Sequence, residues 1–284
     1  MTASRMFVVT IVMVASVVGL KLLVTAFEPS LVFFPLKGED ETPSSAGLAY
    51  RRVELATQDG QRLVAWQLEP DHPIADVVYF HGNGGNLSGW LPVLAGLARS
   101  HLRVLAVDYR GYGLSSGSPS EQGLYRDAEA VIAHVQRSRT PGTPLPLVYW
   151  GRSLGGAVAA AAARVAAPDG VILESTFPEK AAVIRDNPIL RTLNLFSTYR
   201  FSTVDSLQHF SGPVLVMHGD RDSVIPFSIG RDLFERLRGP KRFAEIRGAD
   251  HNDVFTPDDR PYWAPVLEFI AGLPVNARSD AATR

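Results

Sequence analysis

The pentapeptide Gly151-Arg152-Ser153-Leu154-Gly155 sets a serine between two glycines, at the spacing typical of a nucleophile turn. The run LVYW before it predicts a strand, and the run GGAVAAAAARV after it predicts a helix. A serine at such a strand-to-helix turn needs small neighbours, because the backbone there is strained and crowded. Its hydroxyl becomes a nucleophile when a base removes its proton. Ser153 is therefore the candidate nucleophile.

A base for Ser153 has to come from one of seven histidines. His251 lies in the polar loop GADHND, after the last predicted strand and before the last predicted helix. This is the position of the base when nucleophile, acid and base follow each other in that chain order. His81 and His218 each end an apolar strand before a glycine, which favours a structural role near the site.

The acid that orients the base has to hold the imidazole in one tautomer. Asp222 is the best candidate, because it lies in the loop HGDRDSVIP just past the seventh predicted strand. Glu174, at the end of the sixth strand, is a rival candidate, because some enzymes of this architecture have the acid at that position. Asp220 lies two residues nearer the strand than Asp222 and is expected to shape the turn.

The fourth requirement is a pair of donors for a developing oxyanion. One candidate is the backbone N–H of Leu154, which directly follows the nucleophile. The other is Asn83, in the glycine-rich loop HGNGGN after the third predicted strand. A glycine-rich loop could also bind phosphate, but neither nucleotide-binding glycine motif is present in its required context.

The sequence gives no signal for a metal or a cofactor, and we expect neither. It lacks an HEXXH pattern and contains no cysteine, so thiolate catalysis and thiolate metal sites are excluded. The formal net charge of −1 provides no basic field that would hold nucleic acid. The partner we expect is a small-molecule or lipid-like acyl substrate.

Strands and helices alternate through most of the 284 residues. The predicted strands are Tyr50–Ala56, Arg62–Leu68, Asp76–His81, Arg103–Tyr109, Leu147–Trp150, Gly170–Glu174, Pro213–His218 and Arg242–Ile246. The predicted helices among them are Ser120–Arg137, Ser153–Ala167, Phe227–Arg238 and Arg260–Ala271. Eight strands with interposed helices predict an α/β fold around a mostly parallel sheet. The candidate residues fall at the carboxyl ends of its strands, where such sheets bind ligands.

An apolar segment precedes this domain. Between Met6 and Phe27 the only charge is Lys21, near one end, and about 20 apolar residues span a bilayer as a helix. The segment predicts a membrane anchor; the alternatives are a signal peptide cleaved after Ala26 and a buried core helix. Arg5 on one side and Glu28 on the other favour a cytoplasmic amino terminus with the folded domain outside, or a secreted or periplasmic protein after cleavage.

The predicted division of the chain has four parts. They are the anchor or signal peptide over residues 1–28, a linker over 29–49, a catalytic domain over 50–274 with a small cap at 175–212, and a tail over 275–284. The cap offers apolar side chains that could lie near a substrate pocket: Phe177, Ile184, Leu190, Leu193, Leu195, Phe196 and Tyr199.

Together these motifs resemble the α/β-hydrolase superfamily. More narrowly, the chain is similar to the Bem46-like group, close to membrane-anchored serine hydrolases of the ABHD13 and ABHD17 type. The matching segments are LVFFP (31–35), HGNGGN (81–86), DYRGYGLSSGSPSEQGLYRDA (108–128), GRSLGG (151–156), ESTF (174–177), HGDRDSVIP (218–226) and GADHND (248–253).

The resemblance covers nearly the whole chain and implies a catalytic triad of Ser153, Asp222 and His251. It implies an oxyanion hole formed by Asn83 and Leu154, no cofactor, and cleavage of an ester, a thioester or an amide through an acyl-enzyme. Three other functions stay open: a serine peptidase of the aminopeptidase-like type, a binding protein of this fold without turnover, and a cofactor-free non-hydrolytic enzyme, such as a perhydrolase or lyase, that uses the same triad.

Overall fold

The central strands are continuous apolar runs because helices cover both faces of the sheet that they form. A computed structural model describes residues 3–139, 145–255 and 260–274. Within these residues the strands are β1 (Phe34–Pro35), β2 (Tyr50–Ala56), β3 (Arg62–Leu68), β4 (Ala75–Phe80), β5 (Gly84–Gly85), β6 (Leu102–Asp108), β7 (Leu147–Arg152), β8 (Gly170–Glu174), β9 (Val214–Gly219) and β10 (Lys241–Ile246). All eight predicted strands are confirmed, three of them with the predicted bounds and five with ends that shift by one or two residues.

Eight of these strands form one sheet in the order β10-β9-β8-β7-β4-β6-β3-β2. The pairings of β3 with β2 and with β6 are antiparallel, and the other five are parallel. Every residue of β4, β7, β8 and β9 is buried. The fold is thus the eight-stranded, mostly parallel α/β-hydrolase sheet that the sequence predicts.

The helices of the described residues cover both faces of this sheet. They are α1 (Ala3–Val32), α2 (Leu87–Arg99), α3 (Glu121–Ser138), α4 (Leu154–Val165), α5 (Lys180–Val183), α6 (Pro188–Leu193), α7 (Thr203–Leu207), α8 (Phe227–Arg236) and α9 (Arg260–Ala271), with 3₁₀ turns at Pro43–Ala46 and Asn194–Phe196. Side chains of α3, α4 and α8 belong to one buried cluster, and those of α2 and α9 to the other. Two hydrophobic layers therefore sandwich the sheet.

Helix α2 is missing from the four helices that the sequence predicts. Its segment contains Gly89, Pro92 and Gly96, which lower helix propensity. Burial outweighs that cost, because Leu91 and Leu94 pack into the core against the sheet. A Cβ on Gly96 would lie 2.3 Å from the Phe255 ring, so the glycine allows close packing there.

The apolar amino-terminal segment forms α1, which extends to Val32 and so runs four residues past the predicted end of the anchor at residue 28. Its apolar span has a mean hydropathy of 2.6 and is 0% buried. The interpretation as a buried core helix is therefore wrong. Beyond α1, the short strand β1 pairs in parallel with β5, which joins the following segment to the loop that contains Asn83.

The short elements α5 and α6, the 3₁₀ turn Asn194–Phe196 and α7 form the small cap insertion between β8 and β9. This cap insertion covers the carboxyl edge of the sheet near α1. It is tied to α1 by Glu28, whose carboxylate accepts hydrogen bonds from Lys180 Nζ at 2.7 Å and from the Thr198 N–H at 3.0 Å.

Candidate active site

Ser153 lies at the turn between β7 and α4, with a φ of 53° that non-glycine residues rarely adopt. A Cβ on Gly155 would come within 2.0 Å of the Phe80 carbonyl oxygen, and one on Gly151 within 2.2 Å of the Gly155 carbonyl oxygen. These clashes explain why both flanking positions are glycine. The strained turn lifts the serine out of the end of the strand into a cavity.

Two hydrogen bonds hold this turn against the end of β8, and a third lies within the turn. The Ser153 N–H donates to the Glu174 carbonyl at 2.9 Å, and the Thr176 hydroxyl donates to the Ser153 carbonyl at 2.6 Å. The Gly156 N–H also donates to the Ser153 carbonyl, at 3.0 Å. The backbone of Ser153 is fixed on both sides, so its Oγ position varies only through one side-chain torsion.

His251 lies in the loop after β10 and contacts both of its expected partners. Its Nε2 is 3.2 Å from Ser153 Oγ, and its Nδ1 is 2.8 Å from Asp222 Oδ2. A carboxylate can only accept, so Nδ1 carries the proton and the Nε2 lone pair faces the serine hydroxyl. All three side chains are buried. The structure thus brings the three predicted residues into one chain of hydrogen bonds.

Asp222 is surrounded by donors. Its Oδ1 accepts from the N–H groups of Val224 at 3.0 Å and Ile225 at 2.7 Å, while Oδ2 lies 3.3 Å from His218 Nε2. Burial by itself raises the pKa of the Asp222 carboxyl, but the hydrogen bonds from His218, His251 and Ile225 outweigh burial and hold that pKa below its ordinary value. The carboxylate is therefore ionised at neutral pH.

His218, which the sequence analysis assigned a structural role, directly contacts the acid Asp222. Its Nε2 also lies 2.7 Å from the Ile225 carbonyl, an acceptor, which places the His218 proton on Nε2. The same nitrogen lies 3.3 Å from Asp222 Oδ2. The four-residue spacing of His218 and Asp222 was visible in the sequence, but only the turn between them shows that the two side chains meet.

The two rival acids lie elsewhere. Glu174 Oε2 accepts from Trp150 Nε1 at 2.9 Å and from the Tyr262 hydroxyl at 3.1 Å, with no hydrogen bond to His251. Asp220 accepts from the Gly248 N–H at 2.6 Å and shapes the turn, as expected. The geometry therefore favours Asp222 as the partner of His251.

Two residues that the sequence analysis did not single out hold the His251 loop. Asp250 Oδ1 accepts from the N–H groups of His251 and Ser223, both at 2.7 Å, and so joins the loop of the base to the loop of the acid. Arg152 Nη2 donates to the His251 carbonyl at 2.8 Å, and its Nε lies 3.5 Å from Glu174 Oε1. The buried Arg152–Glu174 pair thus fixes the backbone of the base.

The residues predicted to supply the oxyanion donors, Asn83 and Leu154, line the cavity that contains Ser153. Leu154 is the first residue of α4, where a backbone N–H has no acceptor within the helix. Asn83 lies between β4 and β5 and lines the same cavity as Ser153. The Asn83 side chain is used elsewhere, since its Nδ2 donates to the Val32 carbonyl at 3.0 Å. Its backbone N–H is therefore the group to consider for the oxyanion.

The cavity at Ser153 has a volume of about 730 Å³. Its walls are largely apolar and come from α1, α2, the cap and the loops after β9 and β10, including Val32, Trp90, Val93, Phe177, Val183, Ile184, Phe201, Val224 and Phe255. Phe177 and Ile184 are thus confirmed among the cap residues expected near the pocket, whereas Leu195 is 80% exposed and lies outside it. A cavity of this size and polarity suits an apolar substrate group.

A second buried pair lies beneath the Asn83 loop. His81 Nδ1 is 2.7 Å from the Gly82 carbonyl, and its Nε2 is 3.6 Å from Asp108 Oδ1. Burial lowers the pKa of the His81 imidazole to about 4 and raises the pKa of the Asp108 carboxyl to about 7. Among the residues with described positions, no group of three or more His, Asp or Glu side chains is arranged to hold a metal ion.

Comparison with known proteins supports the same architecture. Residues 77–202 match a family model described as the alpha/beta hydrolase fold. The chain is 31% identical to the alpha/beta hydrolase domain-containing protein WAV2 of Arabidopsis thaliana, over 94% of this chain and 95% of the relative. The chain belongs to the α/β-hydrolase family.

Two further similarities concern a membrane protein and an esterase. The α/β-hydrolase chain is 33% identical to the Saccharomyces cerevisiae protein named uncharacterized membrane protein YNL320W, over 81% of this chain and 82% of the relative. The esterase Pf2001 of Pyrococcus furiosus superposes with a TM-score of 0.68 at 18% identity, over 85% of this chain and 98% of the esterase. The last similarity shows a shared fold.

Proposed function

We propose that this α/β-hydrolase is a serine esterase that cleaves carboxylic esters through an acyl-enzyme, with Ser153, His251 and Asp222 as its triad. The observation that carries the proposal is the buried chain of hydrogen bonds from Ser153 Oγ through His251 to Asp222, at the wall of an apolar cavity. The motifs also support placing the chain in the Bem46-like group within the family.

The reaction follows from the positions of the protons. Ser153 Oγ attacks the ester carbonyl carbon while its proton passes to His251 Nε2, and Asp222 stabilises the imidazolium. The N–H groups of Asn83 and Leu154 stabilise the oxyanion. The C–O bond to the leaving alcohol breaks as His251 returns the proton to it. Water then attacks the acyl-enzyme by the same route and regenerates Ser153.

An ester with an apolar acyl group suits the cavity better than a peptide with a free amino terminus. An aminopeptidase holds the substrate ammonium group with an anionic partner. Among the cavity-lining residues that the structure describes, there is no aspartate or glutamate. Two cations, Arg152 and Lys180, line the cavity, and each is paired with a glutamate.

Helix α1 serves as a membrane anchor in this proposal. Its apolar span is long enough to cross a bilayer and its most apolar stretch is 0% buried, and the yeast relative is named a membrane protein. The charges at its ends favour a cytoplasmic amino terminus and a hydrolase domain on the other side. A mature protein that begins at Phe27 would instead establish a cleaved signal peptide.

The test is covalent labelling by a fluorophosphonate probe together with hydrolysis of p-nitrophenyl esters of increasing acyl length. The expected result is labelling of the wild-type protein at Ser153, none of the Ser153→Ala variant, and ester turnover. Labelling without turnover of any ester, or no labelling of a folded protein, would support the alternative of a binding protein without turnover. Turnover of aminoacyl amides in preference to esters would support the peptidase alternative.

A further inference from the structure

A second cavity, of about 370 Å³, lies between α1 and the cap. One wall is a stripe of α1 and the other is formed by the cap. The lining residues are Leu20, Leu23, Val24, Phe27, Glu28, Leu31, Val32, Lys180, Ile184, Leu190, Leu193, Asn194 and Ser197. We call this space the α1–cap groove.

The α1–cap groove adjoins the cavity of the nucleophile. Val32, Lys180 and Ile184 line both spaces, so the two spaces share these three residues as their common boundary. The two volumes together exceed what a short acyl group fills. A long chain could therefore lie in the groove while its carbonyl group reaches Ser153.

The groove is apolar because its charges neutralise each other. Lys180 Nζ lies 2.7 Å from Glu28 Oε1, and Ser197 Oγ also contacts this carboxylate. The other Glu28 oxygen accepts from the Thr198 N–H at 3.0 Å. The charges of Lys180 and Glu28 are therefore paired with each other, and neither is free to bind an ionic ligand. What remains on the walls is mainly leucine, valine, isoleucine and phenylalanine.

The groove is open on the side where a bilayer would surround α1. The stripe residues Leu20, Leu23, Phe27 and Leu31 recur at three- and four-residue intervals and so share one helix face. The side chains of Leu23, Phe27 and Leu31 remain 55%, 60% and 66% exposed. They belong to the same helix whose length and hydropathy suit a bilayer span.

We propose that the α1–cap groove binds one acyl chain of a membrane lipid that enters from the bilayer and presents its ester carbonyl to Ser153. This inference rests on the proposed function and specifies its substrate class as a long-chain acyl ester of a lipid. The reaction stays the one described above, with the lipid acyl group transferred to Ser153 Oγ and then to water.

The first test fills the groove in full-length protein in lipid nanodiscs. Leu193→Trp and Leu23→Trp place a bulky ring in the groove, while the matched controls Ile189→Trp and Leu22→Trp change exposed neighbours that do not line it. We expect kcat/KM for p-nitrophenyl palmitate to fall by about tenfold or more in the first pair only, since each displaced methylene loses burial. Hydrolysis of p-nitrophenyl butyrate should stay within about twofold in all four variants.

The second test measures chain binding without catalysis. The chain has no cysteine, so Leu193→Cys and Ile189→Cys, each combined with Ser153→Ala, carry a single thiol. In detergent, a hexadecyl glycerol ether at about twice its Kd should slow maleimide labelling of the Leu193→Cys variant about threefold, by occupying the groove. The Ile189→Cys variant should react at the same rate with or without the ether.

The outcomes separate the two proposals. If no ester is hydrolysed but the ether protects only the Leu193→Cys variant, the proposed function fails and the groove is supported as an acyl-chain site. If butyrate is hydrolysed normally, while the groove variants match their controls on palmitate and the ether gives no selective protection, the groove inference is overturned and the esterase proposal stands. Equal loss of palmitate and butyrate hydrolysis in the groove variants would also overturn the inference that the groove binds the acyl chain.

Discussion

The side-chain amide of Asn83 donates a hydrogen bond to the backbone carbonyl of Val32 over 3.0 Å. Val32 is the last residue of α1, and Asn83 carries one of the two proposed oxyanion donors. The link continues through Phe34, whose N–H donates to the Asn83 carbonyl at 3.0 Å. The end of the apolar helix and the loop that would stabilise the oxyanion thus form one hydrogen-bonded unit.

Asn83→Ala removes this link but keeps the backbone N–H. We expect kcat to fall by less than the roughly 10²–10³-fold typical of a lost oxyanion donor. The free energy of unfolding should drop by about 1 kcal/mol, because the Val32 carbonyl loses its partner. Steady-state kinetics and urea unfolding measure the two effects. A loss of kcat as large as for a missing donor would show that the Asn83 side chain itself contacts the oxyanion.

Ser153→Ala is expected to lower kcat by about 10⁴–10⁶-fold while the protein stays folded, because the nucleophile is lost and the rest of the site is kept. The control is Ser228→Ala, which changes an exposed serine of α8 that does not line the cavity. The measurement is ester hydrolysis by protein purified to homogeneity, with thermal melts of both variants. Retention of more than about a tenth of the wild-type rate would exclude Ser153 as the nucleophile.

Asp222→Asn and Glu174→Gln distinguish the orienting acid from its rival. Asp222→Asn should lower kcat by about 10⁴-fold with little change in KM, because the wrong His251 tautomer is then favoured. Glu174→Gln leaves Arg152 as a buried charge without its partner, so we expect a fall in melting temperature of several degrees and a smaller loss of kcat.

Kinetics and thermal melts of the two variants are compared side by side. An inactive Glu174→Gln variant with normal stability, together with a fully active Asp222→Asn variant, would reverse the assignment.

His81 and Asp108 should shape the pH dependence of stability. In the unfolded chain their pKa values are about 6.5 and 3.9, against about 4 and about 7 in the fold. Between about pH 4 and 6.5, the unfolded chain binds the proton on His81 and the folded protein binds one on Asp108. His81 makes the free energy of unfolding rise with pH and Asp108 makes it fall. The two effects oppose each other, so the wild-type pair contributes little net pH dependence of stability in this window.

The Asp108→Asn variant removes the contribution of Asp108 to the pH dependence of stability, so that only the contribution of His81 remains. Because the unfolded state then binds the extra proton, stability should rise with pH, and the variant should lose up to about 3 kcal/mol relative to wild type between about pH 6.5 and 4. Urea unfolding at several pH values gives the difference. Parallel curves for wild type and variant would show that the two groups do not titrate as stated.

The amino-terminal helix should determine where the protein is found. Full-length protein is expected in the membrane fraction and to resist alkaline extraction, as an apolar span of this length does. A chain that begins at Phe27 keeps Glu28 and Val32, and should be recovered without detergent with its activity on short esters intact. Soluble full-length protein would count against the anchor, and amino-terminal sequencing tests for signal-peptide cleavage.

Much of this molecule could be predicted because its signals are local. A strand covered on both faces must be apolar throughout, so runs such as VVYF and VILE indicate the parallel sheet directly. The order of strands and helices then places Ser153, Asp222 and His251 at one edge. The glycine at position 151 reflects a steric clash with the carbonyl of Gly155, four residues along the chain, which is also a local property, whereas the clash at Gly155 is with the distant Phe80.

Contacts between distant segments could not be predicted in this way. Helix α2 forms although Gly89, Pro92 and Gly96 weaken it, because the free energy of packing against the sheet depends on tertiary neighbours. Glu28 and Lys180 are 152 residues apart, and only the fold shows that they neutralise each other in the α1–cap groove. The sequence alone determined the sheet and the candidate chemistry, since both depend on local pattern. The tertiary structure decided which charges meet and where a groove opens, since both depend on distances between segments that the chain order does not specify.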